Sequence, residues 1–106
     1  MPLRTSACLF HSKTIMLANE CGAVYGLFGP GDDAGQLRCL YVGETNNLRQ
    51  RLTEHYREPP CAEIVYFIAE EVADDRQRAV RLRQLLAEYD PPGNKRVRRS
   101  AASGSH

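Results

Sequence analysis

The sequence predicts an α+β domain: a small three-stranded antiparallel sheet flanked by helices, in the order strand, strand, helix, strand, helix. Three observations lead there. Two runs rich in Val, Leu and aromatics, at 22–28 and 36–43, flank the turn sequence GPGDDAG and read as a hairpin. Two later segments carry apolar residues at three- and four-residue steps, the pattern of amphipathic helices. A third β-rich run, AEIVYFIAE at 62–70, lies between them.

Taken in order, residues 1–21 form an N-terminal extension whose short apolar runs, ACLF and TIMLA, suit an extra strand or a short helix on the domain edge. GAVYGLF is the first strand and QLRCLYVG the second. A helix over about 46–57 follows, with Asn46 or Asn47 as its cap and EPP at 58–60 as its stop. The near-continuous apolar centre of the third strand predicts a well-covered position. Asp74 or Asp75 can cap a last helix, about 75–89, whose buried stripe is expected to be Ala79, Leu82, Leu86 and Tyr89. DPPGN ends it, and a basic tail, 95–106, follows.

A chain of 106 residues with 42% hydrophobic content suits one domain with one core. No segment is long and apolar enough to cross a membrane, and the N-terminus lacks a signal-peptide layout, so a cytoplasmic protein is expected. The four cysteines, Cys8, Cys21, Cys39 and Cys61, form no CxxC pair and read as buried reduced thiols. Net charge is +1 but unevenly divided: residues 1–75 carry six Lys/Arg against eleven Asp/Glu, whereas 76–106 carry eight against two. Basic clusters of this kind face phosphate backbones, which marks Arg49, Arg76, Arg78, Arg81, Arg83, Lys95, Arg96, Arg98 and Arg99 as candidate nucleic-acid contacts.

Tyr25 and Tyr41 fall on the two paired strands, and Arg51 and His55, four apart, project from one helix face. A guanidinium near two phenols and an imidazole suits a phosphodiester: arginine stabilises charge on the non-bridging oxygens while tyrosine or histidine handles the proton. A phenol does so more readily where neighbouring cations lower its pKa.

AVY, then LYVGETNNLRQRLTEHY with a histidine four residues after the arginine, then PPGN, together resemble the GIY-YIG nuclease family over about 22–94. The resemblance implies a GIY-YIG-type fold and an endonuclease that hydrolyses phosphodiester bonds, with DNA the favoured partner and no membrane. It implies Tyr25, Tyr41, Arg51 and His55 as the catalytic group and Asn94 as a supporting polar residue. It implies Mg2+ or Mn2+, held in the family by a glutamate of the last helix.

Two departures stand out. The first motif has Ala23 where a glycine is usual, or its glycine is displaced to Gly22. More seriously, counting back from Asn94 by the family's spacing places the metal glutamate at Leu82, and RQRAVRLRQLLA, 76–87, contains no carboxylate. Glu44, next to Gly43 at the end of the tyrosine strand, is the candidate substitute ligand. The competing expectation is a nucleic-acid-binding module of the same fold that does not cleave. With so little chain outside the domain, specificity would come from a homodimer, a partner protein or the basic tail.

Overall fold

The computed structural model describes residues 2–3, 6–33 and 35–94. Its elements are β1 (Cys8–Leu9), α1 (Ser12–Ile15), β2 (Ala23–Pro30), β3 (Leu37–Thr45), α2 (Leu48–Arg57), β4 (Tyr66–Glu71) and α3 (Asp75–Tyr89). The sheet has four strands in the order β1-β4-β2-β3, every pair antiparallel. The expected three strands and two helices are present in the expected order. The extension adds a short strand and a short helix: Cys8 and Leu9 pair with Phe67 and Tyr66 of β4.

β2 is the central strand, buried from Ala23 through Gly29. Alternation along it divides the core in two. On one face Ala23, Tyr25 and Leu27 pack with Tyr41, Phe67, Ile15 and with Leu48 and Leu52 of α2. On the other, Val24 and Phe28 pack with Val42, Cys39, Leu3 and with Leu85 of α3. The two long helices thus cover opposite faces of the sheet.

The register of the hairpin positions the tyrosines. Tyr25 lies opposite Gly43, and Leu27 opposite Tyr41, before a bulge shifts Phe28 onto Cys39. Tyr41 and Gly43 are two apart and share Tyr25's face. Gly43 is required there, because a Cβ at that position would stand 2.5 Å from the Tyr25 hydroxyl.

Local signals settle the helix starts. Asn47 caps α2, its side chain accepting from the Gln50 N–H at 3.1 Å. Asp74 caps α3 in the same way, accepting from Gln77 at 2.9 Å. Asp90, in the left-handed region at φ 46°, ends α3.

Three expectations need correction. β4 starts at Tyr66 and not at Ala62: Glu63 takes φ 71° and breaks the extended run, although Val65 already bonds across to Phe28 and Phe10 through its backbone at 2.8 Å each. The buried face of α3 carries Arg78 and Leu85, with Leu82, Leu86 and Tyr89 packed beside them, and Ala79 is exposed. Of the four cysteines Cys39 alone is buried, its thiol pushed up to about 12 chiefly by that burial. Among the described residues, no helix is long and apolar enough to cross a membrane.

Candidate active site

The structure brings Tyr25, Tyr41, Arg51 and His55 together on the α2 face of the sheet. The Tyr25 hydroxyl and His55 Nε2 are 2.7 Å apart. The Tyr41 ring meets the His55 ring nearly edge-on, with centroids 5.2 Å apart, and lies 6.3 Å from Tyr25. Arg51 reaches the same place from one turn earlier on α2, near the Tyr25 hydroxyl and 3.1 Å from Glu54 through Nη1.

Burial decides what each group can do. Tyr25 is fully buried, and His55 is 6% exposed. Desolvation, followed by the neighbouring Tyr41, raises the Tyr25 phenol far above its ordinary value, although Arg51 opposes this. The expectation of a cation-lowered phenol therefore fails at Tyr25: losing water outweighs gaining a guanidinium. Desolvation, helped by the Arg51 charge, lowers His55 to about 4, with Glu54 opposing. Arg51 is driven further into its charged form, first by Tyr25 and then by Glu54. At neutral pH the cluster is thus a protonated phenol, a neutral imidazole and a fixed cation.

Two adjoining grooves give access. One, of about 470 Å3, is lined by Tyr41, Arg51, Glu54, His55, Arg57, Glu58 and Pro60. The other, of about 420 Å3, runs from the end of β3 to the start of α3 and includes Glu44, Asn47, Arg51, Glu54, Asp75 and Arg78. Arg51 and Glu54 form the wall between them. Tyr25 lies behind the first groove and reaches it through His55.

The remaining sequence candidates are distributed differently. Asn94 spends its amide on the Val42 backbone, accepting from N–H and donating to C=O at 2.7 Å each, so it fixes the β3 edge beside Tyr41. Arg49 donates to the Ala18 carbonyl. Arg81 is held by Glu70 and the Pro2 carbonyl. Arg76 and Arg83 are exposed on α3. Lys95, Arg96, Arg98 and Arg99 lie outside the described residues.

Arg78 is not the surface contact its charge suggested. It is 4% exposed, at the mouth of the second groove, with Nε 3.1 Å from Glu44 Oε1 and Nη2 on Asp75 Oδ1. Glu44, the candidate metal ligand, is thus an ion-pair partner. Glu54 and Asp75 were missed in the sequence. Their signal was weak: Glu54 stands three residues after Arg51, and Asp75 three before Arg78.

These residues fit a divalent cation poorly. Each carboxylate lining the second groove is taken by a guanidinium: Glu44 and Asp75 by Arg78, Glu54 by Arg51. Among the described residues no group of three or more His, Cys, Asp or Glu side chains is placed to hold a metal ion.

The sheet order, the helix on each face and the tyrosine pair beside α2 define the GIY-YIG fold, and this chain has it. The GIY-YIG N-terminal endonuclease domain of UvrC from Thermotoga maritima, bound to its catalytic magnesium, aligns with a TM-score of 0.62 at 24% identity, over 76% of this chain and 91% of that one. Two point mutants of that domain, each with its catalytic divalent cation, align at TM-scores of 0.61 and 0.59, 24% and 23% identity, over 76% of this chain and 90% of theirs. No protein-family model matches the sequence. No curated protein matches it either.

Proposed function

We propose that this chain is an endonuclease acting on a nucleic-acid phosphodiester, DNA being favoured, with the scissile phosphate in the groove bounded by Tyr41, Arg51 and His55. The observation that carries the proposal is the 2.7 Å contact between Tyr25 and a neutral, buried His55, with the Arg51 guanidinium alongside. Packing alone does not call for a buried phenol–imidazole pair beside a cation. Its desolvation is worth maintaining where a proton must move.

In this reading Arg51, its side chain 44% exposed, meets the non-bridging oxygens and takes up the charge that grows on them. His55, neutral at pH 7, accepts the proton of the attacking water at Nδ1, in the tautomer whose Nε2–H donates to the Tyr25 oxygen and so fixes the ring. Tyr25 stays protonated throughout, as its raised pKa requires. The Tyr41 hydroxyl can donate to the phosphate or to the leaving oxygen. The carboxylates that would have to hold a divalent cation here, Glu44, Glu54 and Asp75, are paired with Arg51 and Arg78. Specificity would come from a second copy or a partner protein.

The test is incubation with supercoiled plasmid and with single-stranded substrates, with Mg2+ or Mn2+ and with EDTA. Arg51→Ala and His55→Ala are each expected to remove nicking; nicking that persists in both would sink the proposal. A second reading, a nucleic-acid binder that does not cut, is favoured by the Arg78–Glu44 pair, which takes the candidate metal ligand. Wild-type protein that shifts oligonucleotides but nicks nothing under any condition would establish it.

A further inference from the structure

We propose that Arg57 holds the phosphate next to the scissile one, so that the bound strand runs from Arg51 toward the C-terminal end of α2. The proposal rests on the nucleic-acid reading above and holds whether the strand is cut or only bound.

Arg57 is the last residue of α2 and lines the groove that Tyr41, Arg51 and His55 also line. Three arginines border the two grooves, and the other two are engaged. Arg51 donates to Glu54 at 3.1 Å. Arg78 is buried, with four of its five N–H bonds given to Glu44, Asp75 and the carbonyls of Val72 and Ala73. Arg57 is exposed, and among the described residues its guanidinium has no hydrogen-bond or ion-pair partner. All five of its N–H donors are open to a ligand.

The charges of the two grooves set the direction of the strand. Arg51 and Arg57 stand six residues apart, a rise of about 9 Å along the helix. Every nucleotide carries a negative charge, so a strand anchored at Arg51 brings its next phosphate into one groove or the other. Toward α3, Glu44, Glu54 and Asp75 outnumber Arg51 and Arg78. That side repels a second phosphate. Toward Pro60, Arg51 and Arg57 face Glu54 and Glu58, and Glu54 is already paired with Arg51. Glu58 opposes an anion here, so this groove attracts a phosphate through a directed contact and not through excess charge. A guanidinium supplies that contact, because its fork of N–H bonds matches two phosphate oxygens.

The test measures the affinity of the full chain for a fluorescent single-stranded DNA oligonucleotide across a salt series, in EDTA and in Ca2+. Arg57→Gln is expected to weaken binding about three- to tenfold at low salt, and to lower the slope of log affinity against log salt by about 0.7, one single-strand phosphate contact. Arg57→Lys keeps the charge and should recover most of that slope. Glu58→Gln removes the opposing charge and should bind more tightly than the wild type. Arg38→Gln is the control. It removes another exposed charge, near the start of β3 and outside both grooves, and should change affinity by less than about twofold. Arg57 has no partner to lose, so its variants should keep the wild-type Tm. An Arg57→Gln protein that binds with the wild-type affinity and slope overturns the proposal, as does a loss no larger than that of Arg38→Gln. Absence of any binding by the wild type, in EDTA and in Ca2+ alike, removes the nucleic-acid reading itself and the proposal with it.

Discussion

Asn94 grips Val42 by both ends of its amide, Oδ1 accepting from the backbone N–H and Nδ2 donating to the carbonyl, each at 2.7 Å. β3 is an edge strand, so these groups of Val42 face away from β2 and would otherwise turn to water. One side chain, 52 residues downstream, thereby acts as a single-residue strand. It sits between Tyr41, which lines the groove, and Gly43, which makes room for Tyr25.

Asn94→Ala should therefore act through stability. Losing two hydrogen bonds is worth about 1–3 kcal/mol. In a domain of this size each kcal/mol moves Tm by about 4–8 °C. Thermal denaturation followed by circular dichroism checks it. An unchanged Tm together with lost nicking would mean that Asn94 acts on the phosphate and not on the strand.

Gly43→Ala tests the close approach of β3 to Tyr25. The new methyl would stand 2.5 Å from the hydroxyl and 2.7 Å from Cζ, both parts of a ring packed on every side. Forcing a methyl into a filled core typically costs about 1–3 kcal/mol. Relief by moving the ring would separate Tyr25 from His55. Gly43→Ala should thus lose both Tm and nicking, whereas Tyr25→Phe, which keeps the ring, should lose nicking with a Tm change of only a few degrees. Equal Tm losses in the two would mean that the hydroxyl matters chiefly to the fold.

The basic residues of α3 should separate by their partners. Arg81 donates to both oxygens of Glu70 and to the Pro2 carbonyl, so Arg81→Ala should lower stability and leave the salt dependence of binding alone. Arg76 and Arg83 are exposed. Neutralising both should weaken binding to any sequence and flatten the plot of log affinity against log salt by up to about two phosphate contacts. Binding that is indifferent to salt in the wild type would place the ligand elsewhere.

What the sequence disclosed was local. Asn47 and Asp74 announce helix starts by their own side chains, and the GPGDDAG turn fixes the hairpin, so the order of elements was readable. The tyrosine, arginine and histidine followed, because strand pairing and a four-residue helical step are local rules. What was unreadable depends on distant chain. Glu63 breaks a run that β-propensity favours, and β1 exists only because β4 offers it an edge. Arg78 was read as a surface charge; its burial needs Glu44, 34 residues away, together with Val72, Ala73 and Asp75. A hint was present. Arg78 precedes Leu82 by one turn on the apolar stripe, where a charged residue must bury its head or have a partner.

The pH dependence of stability follows from His55. Its imidazole titrates near 4, against 6.5 in an exposed chain, because burial and the Arg51 charge disfavour the cation. Between those values the unfolded chain binds a proton that the folded chain refuses, so stability is full above pH 6.5 and falls as pH drops toward 4. The loss from this one group is roughly 1–3 kcal/mol. Urea denaturation at pH 7.5, 6, 5 and 4.5 should show it, and His55→Gln, which cannot titrate, should show a smaller slope over the same window. Arg51→Gln removes one of the two causes, so it should raise the His55 pKa and narrow the window, whereas Glu54→Gln removes the opposing charge and should widen it. Nicking should follow the folded value, with its acid limb near pH 4 and not near 6.5. Superimposable stability curves for the wild type and His55→Gln would mean that the imidazole is solvated, and the buried proton acceptor that the nuclease reading requires would be absent.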